Sequence, residues 1–449
     1  MAEDSTAGKR PGGLSRRELL KRAGVGAGGL AVSSAFAGPA WARPNGTTRS
    51  AANTVKIGFV SPMTGPAAGF GEGDPYCIGL AKAAFAKGVT VGGQKYDVEI
   101  VSKDSQSTPS RAAQVANDLI HGENVDMILA TSTPEVVNPV ADAAEANQVP
   151  SISTVDPWQS WYFGRGAKPG KPSPFKYSFV YCFGGEDFGI AYTSMWPQVK
   201  TNKHVGVMWP NDADGNAFRE NLGPGLEKAG YKVFDPGAYQ DGTTDFTKLI
   251  SVYKKNKCEI FQCAPIPPDF TTLWRQAAQQ GYTKTVKIAQ LAKTGLFPSQ
   301  VQILGKLGPN LASGAYWTPH FPYSSPLTGL SSKQIGDGYT KKTGRQWNQQ
   351  LGASLSLFDV ANAVMKASGN PKDKGKVANA MFHLKVTTPL GPLHWGAGGA
   401  KNPVPNVVRT PIIGGQWRKV GGKFPLDFLL VEHADDPHVP IQTKLRPYS

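Results

Sequence analysis

The chain has 449 residues, with 48 Lys and Arg against 33 Asp and Glu, a formal net charge of +15, and four cysteines. Its length exceeds what one hydrophobic core usually spans, which predicts two domains, and no stretch after residue 42 approaches the ~18 consecutive apolar residues of a membrane helix. The basic residues are scattered, with no block interleaved with aromatics, which argues against nucleic acid as the partner and leaves the positive balance to solubility or the attraction of anionic solutes.

The first 42 residues stand apart. Ser15-Arg16-Arg17-Glu18-Leu19-Leu20-Lys21 precedes a Gly/Ala-rich, weakly apolar run and then Ala40-Trp41-Ala42. A charged start, a modest apolar segment and an A-x-A site describe an export signal over residues 1–42. The paired arginines resemble the twin-arginine type, with Leu19 where that pattern usually has phenylalanine. Gly24 to Gly29 fits G-x-G-x-x-G, but no strand precedes it, so it carries no dinucleotide reading. Cys77, Cys182, Cys258 and Cys263 have neither C-x-x-C nor zinc-like spacing, and buried thiols are expected. None lies at the cleavage site, which predicts a protein without a lipid anchor in an extracytoplasmic space.

From Val55 onward short apolar strands alternate with helical segments. Strands are expected at 55–60, 96–102, 126–130 and 149–154, with helices at about 75–87 and 110–121 and through "PEVVNPVADAAEAN". A Gly/Pro/Lys-rich insertion, "FGRGAKPGKPSPFK", separates these from a second run. Its strands are expected at 205–209, 231–234, 259–263, 286–291 and 314–317, with helices at 217–229, 245–255 and 270–279. Such alternation predicts parallel sheets with helices on both faces. "LSLFDVANAVMKASG" then carries an amphipathic helix. "VVRTPIIGGQWRKVGG" is expected to form a hairpin turning at Gly414-Gly415, and the polar tail from His433 is expected to be weakly ordered.

Six stretches carry a family resemblance. "IGFVSPMTGPAAGFGEG" resembles a strand followed by P-x-[ST]-G-P-x-A-x-[YF]-G, and "KDSQSTPSRAAQVANDLI", "NQVPSIST", "TTDFTKLI", "PPDFTTLWRQAAQQGY" and "FDVANAVMKA" follow in the same family order. Together they resemble the periplasmic solute-binding proteins of ABC importers, in the branch of branched-chain amino acid and amide binders, over roughly residues 53 to 425. The resemblance implies an α/β fold of two doubly wound lobes joined by three hinge crossings, the type I periplasmic binding protein. It implies lobe 1 over 43–181 and 318–405, and lobe 2 over 182–317 with a return and tail over 406–449. Crossings are placed near 181–185, 317–321 and 404–409. A solute held between closing lobes, ABC permease subunits as partners, a monomer, and no cofactor, metal or catalysis follow from it.

Candidate ligand contacts sit after the strands, where open α/β sheets bind ligands. Thr131-Ser132-Thr133 precedes Pro134, a good first helical residue. These hydroxyls either cap that helix or, with its N-terminus, cradle a carboxylate; the family places ligand-binding hydroxyls on this loop. Phe70 occupies the family's aromatic position, as cleft wall or as loop packing. Asp156 and Trp158 replace small residues of the family after the fourth strand, Trp158 as a cleft contact, whereas Trp161 and Tyr162 are expected to pin the inserted loop. Glu186, or its neighbour Asp187, matches a hinge position where some relatives have a ligand-facing acid. Ile266 and Pro267 make the second-lobe wall more apolar. In "AQLAKTGLFPSQ", Gln290 and Lys293 stand where amino-acid binders of the family carry an acid for the ligand ammonium. A buried ammonium without a counter-charge is costly, so the ligand is expected to lack an α-amino group. Lys293 is then either an exposed lysine or a partner for an anionic or polar end.

"NDADGNAFRE" departs from calcium-loop spacing and fits a strand-to-helix turn. No H-E-x-x-H, G-x-S-x-G or P-loop is present. The expected function is a receptor for a small polar or carboxylate-bearing solute with an apolar or aromatic part. A sensor serving a membrane signalling receptor and an exported hydrolase are the alternatives.

Overall fold

Val55, Ile57, Phe59 and Val60 are all fully buried, the pattern of a strand covered on both faces, as in a parallel sheet between helices. This strand, β1 (Thr54–Ser61), opens the computed structural model, which describes residues 53–449. The export-signal segment lies outside the described residues. Five strands follow: β2 (Val89–Val91), β3 (Gln94–Asp104), β4 (Met127–Thr131), β5 (Ser151–Thr154) and β6 (Ser178–Tyr181). The second run is β7 (His204–Met208), β8 (Lys232–Phe234), β9 (Ile260–Cys263), β10 (Ile288–Leu291) and β11 (Ala312–Ala315). A small hairpin, β12 (Lys385–Thr388) with β13 (Gly391–His394), precedes β14 (Val407–Val408), β15 (Ile413–Lys419) and β16 (Leu426–Leu430).

These strands form two sheets of seven. The first runs β14-β6-β5-β4-β1-β3-β2 and is parallel except for the β2 edge; the second runs β16-β15-β11-β10-β9-β7-β8, with β15 antiparallel to both of its neighbours. The chain leaves the first sheet after β6 and builds the second through β11. It then returns with the helix Gln350–Ser368, which packs on β5, adds β14 to the first sheet, and ends in the second. Among the described residues no helix is long and apolar enough to cross a membrane. All four cysteines are buried free thiols.

Two sequence expectations are overturned. Gly414 and Gly415 do not turn a hairpin but lie inside β15, paired with β11 on one side and β16 on the other. Their lack of a side chain serves close packing: a Cβ on Gly415 would stand 2.3 Å from the Phe428 ring, and one on Gly414 2.6 Å from Cγ of Glu432. The turn falls instead between Lys419 and Leu426. The tail from His433 is also fastened down. Val439 and Leu445 are buried, the Tyr448 N–H donates to the Lys287 carbonyl (2.8 Å), and Nε1 of Trp274 donates to the Tyr448 hydroxyl (3.0 Å). Elsewhere boundaries shift: helical structure begins at Ala213 rather than 217, and the strand expected at 314–317 is Ala312–Ala315.

Trp317, just past β11, is fully buried, with Nε1 donating to Oγ of Ser332 (3.0 Å). It lies flat against Gly352, where a Cβ would come within 2.2 Å of the indole Cγ. A Gly352→Ala protein is therefore expected to lose about 1–3 kcal/mol to overpacking, read as a lower urea midpoint with an unchanged slope. An unchanged midpoint would show that the indole can move aside.

Candidate functional site

Parallel strands present their carboxyl ends on one edge of a sheet, and here the two edges face each other. From the first sheet come Phe70 after β1, Thr133 after β4, and Val155 and Pro157 after β5. From the second come Asp214 after β7, Ala264 after β9, Ala292 and Lys293 after β10, and Tyr316 after β11. They line a narrow cavity, completed mainly by Phe183, Phe188, Phe218 and Leu296. Rings dominate its wall. Phe183 stacks on Tyr316 (5.6 Å between centroids) and meets Phe188 edge-on (5.1 Å), which meets Phe218 in turn (5.0 Å). Phe70 closes one side by an edge contact with Phe297 of the opposite lobe (4.8 Å).

The three hydroxyls of "TST" do not act together. Thr131 and Ser132 are fully buried and bond each other (2.7 Å), and Gln350 Nε2 donates to Thr131 Oγ1 (2.7 Å). Gln350 also donates to Ser354 (3.1 Å) and accepts from the Tyr316 hydroxyl at Oε1 (3.1 Å), tying these hydroxyls to the cavity wall. Thr133 alone reaches the cavity, and its side chain caps nothing. The Thr133 N–H donates to the Val155 carbonyl (3.0 Å), Pro134 has no N–H, and the Val136 N–H donates to the Thr133 carbonyl (3.1 Å). The start of the helix Pro134–Ala146 is thus largely occupied by its own backbone.

Lys293 is not exposed, and two carboxylates already pair with it. Its Nζ lies 2.8 Å from Oδ2 of Asp212 and 2.8 Å from Oδ2 of Asp214, with only 10% of its side chain exposed. Burial works against its charge, but Asp214 and Asp212 outweigh burial and hold the ammonium well above the usual lysine range. Asp212 also caps the helix Ala213–Ala217, its Oδ1 accepting from the Gly215 N–H (2.6 Å), so "NDADG" is indeed a strand-to-helix turn. Asp214 is different: Oδ2 takes Lys293, while its buried Oδ1 has no hydrogen-bond partner. Burial, opposed by Lys293 but reinforced by Asp212 and Glu135, pushes its carboxyl up to about 6. Asp156 is fully buried between the lining residues Val155 and Pro157, and neither of its oxygens has a hydrogen-bond partner. Burial, then Asp214 and Glu135, push it well above the carboxylate range, against Arg165 and Lys293.

Five other sequence candidates lie away from the cavity wall. Trp158 Nε1 donates to Glu186 Oε1 (2.9 Å), and Arg409 Nε pairs with the same oxygen (3.0 Å), so Trp158 and Glu186 satisfy each other behind the site. Asp187 is held by Arg409 and by the Gly184 N–H (2.7 Å). Ile266 is the half-buried residue before the helix Pro267–Gln279, and the lining position on that loop is Ala264. Gln290 accepts from Trp196 Nε1 (3.2 Å) inside the second lobe. Trp161 and Tyr162 pack on Phe175 of the inserted loop (5.3 and 5.7 Å), and Arg165 lies over Trp161 and Phe175. Asp212, Asp214, Phe183, Phe188, Phe218 and Tyr316 escaped the sequence reading. The strand-end rule applied to "MWPNDADG" points to the two acids; the rings had no local signal.

Comparison with known proteins follows the same lines. Residues 54–406 match the family model described as periplasmic binding protein. The Leu/Ile/Val-binding protein homolog 3 of Brucella melitensis is 22% identical over 370 residues, covering 80% of this chain and 92% of that protein. Among solved structures, a leucine-binding protein of Thermotoga maritima superposes with a TM-score of 0.66 at 19% identity, over 83% of this chain and 97% of that one. A solute-binding protein of Rhodopseudomonas palustris BisB5, in complex with 3,4-dihydroxybenzoic acid, gives 0.68 at 19% identity, over 86% and 99%. Family members bind small-molecule ligands, work with ABC transporter permeases, and are not enzymes. With the family model spanning most of its length and two α/β sheets meeting over one cavity, the chain belongs to the periplasmic binding protein family.

Proposed function

We propose that the chain is the extracytoplasmic receptor of an ABC importer, exported by the twin-arginine-type signal of residues 1–42. It acts as a monomer that closes two lobes on a small solute and hands it to a membrane permease. Lobe 1 comprises 43–181 and 318–405, and lobe 2 comprises 182–317 and 406–449. One observation carries this: the cavity takes its lining from strand ends of both sheets, so that closing the lobes buries whatever lies between them. The ring-rich wall suits a solute with an apolar or aromatic body, and the Thr133, Asp214 and Lys293 corner suits a polar head. A leucine-binding relative and one holding 3,4-dihydroxybenzoic acid bracket the body size.

The test is a thermal-shift screen of amino acids, amides, amines, aromatic acids and short dicarboxylates. A cognate solute at a hundred times its Kd is expected to stabilise the protein by about 2.7 kcal/mol. Phe188→Ala, which opens the ring wall, is expected to weaken that response. A screen in which no class raises the melting temperature would sink the proposal.

A further inference from the structure

Accepting the cavity as the solute site, we infer that the head group it takes is a cation with no carboxylate beside it. This is an amine or quaternary ammonium on an apolar or aromatic body, held by Asp214 of one lobe and Asp156 of the other. The acids are a cluster, and a cluster alone is no site. What points to a ligand is the unpartnered Oδ1 of Asp214, on a buried side chain that lines the cavity. Asp156, orphaned at both oxygens, sits between two lining residues and within electrostatic reach of Asp214. Buried carboxylates are ordinarily paired, and a cation between these two supplies the missing partner.

Three observations weigh against an anionic head. Lys293 is the only basic side chain among the described residues lining the cavity, and Asp212 and Asp214 both bind it. Arg165, the other cation acting on Asp156, is bonded to Asp142 (2.7 Å) and stacked over Trp161 and Phe175. The helix start at Pro134, the natural carboxylate cradle, has its Thr133 and Val136 N–H groups occupied and Glu135 beside them. A ligand carboxylate would meet Asp214, Asp156 and Glu135, with the Thr133 hydroxyl the main donor left to offset them. The ring wall favours the same sign, because aromatic faces attract cations. Among the described residues no group of three or more acids, histidines or cysteines is arranged to hold a metal ion, which directs the cation to an organic ligand.

The experiment is calorimetry on the full-length chain with two matched series. One has a phenyl body (2-phenylethylamine, phenylalanine, 3-phenylpropionate, 3-phenylpropanamide), the other an isobutyl body (isoamylamine, leucine, isovalerate, isovaleramide). The amine is expected to bind about tenfold or more tighter than the zwitterion and the anion in at least one series. Asp214→Asn is expected to erase that preference, with a cooperative thermal melt like the parent's showing that the variant is folded. Tighter binding of the anion or zwitterion, an unchanged amine preference in Asp214→Asn, or no binding in either series would each overturn the inference. The receptor proposal is judged separately, by the wider thermal-shift screen, and survives a result in which only carboxylates bind.

Discussion

A Lys293→Met protein is expected to be about 3–5 kcal/mol less stable than its parent in urea at pH 7, among the largest effects of any single substitution here. Lys293 neutralises two carboxylates at once, the buried Asp214 and the partly buried Asp212, each at 2.8 Å, and methionine keeps the packing volume while removing the charge. Asp214 would then face Asp212 on one side and Asp156 on the other with no cation between them and little water to screen them. The pH dependence has a definite sign. Asp214 already titrates at about 6 with Lys293 in place, and losing the lysine moves it further up. A carboxyl raised above its unfolded value binds protons more tightly in the native state. Stability is therefore highest below about pH 4 and falls as pH rises towards the folded value. The deficit should be small near pH 4 and full above pH 7. Adding Asp214→Asn to Lys293→Met should recover part of the loss. A deficit below about 1 kcal/mol at pH 7 would mean that solvent screens the trio despite its burial.

This trio also shows where sequence reasoning stops. Lys293 follows a legible strand, and Asp212 caps a legible turn, but they meet across 81 residues of chain, and no local pattern encodes that distance. The "TST" loop was legible as a strand end, yet its fate is decided by Gln350, 219 residues further on, which draws Thr131 into the interior and makes it neither cap nor cradle. What could be read early was whatever repeats locally. The apolar runs of β1, β4 and β9, the helices between them, and the family-ordered motifs pointed to two α/β units. Gly414-Gly415 misled because a glycine pair has the same appearance in a turn and under a phenylalanine ring. The tail misled because its few anchors, Val439, Leu445 and Tyr448, are thinly spread among polar residues. The missing acid of the second lobe was a question of place. An acid does line this side of the cavity, Asp214, but it follows β7 rather than β10.

Asp156→Asn should separate stability from binding. In the empty protein this carboxyl is fully buried without a hydrogen-bond partner, faced by the acids Asp214 and Glu135, the cations Arg165 and Lys293, and the buried Cys182 thiol. Burial and the two acids win, so the folded state holds the proton and loses stability as pH rises above the unfolded value near 4. Asparagine carries no such penalty. At pH 8 the variant is therefore expected to be the more stable protein by about 1 kcal/mol or more, with the gap closing towards pH 4. A saturating amine ligand should reverse the order. The parent then has a partner for its carboxylate and gains about 2.7 kcal/mol at a hundred times Kd, while the variant, binding less tightly, gains less. Thermal melts at pH 4, 6 and 8, with and without ligand, read both halves. A variant less stable than its parent at pH 8 would show that Asp156 has a partner in the empty protein, and its candidacy for the cation would fall with that result. A variant that is more stable yet binds the amine equally well would leave Asp214 as the sole counter-charge.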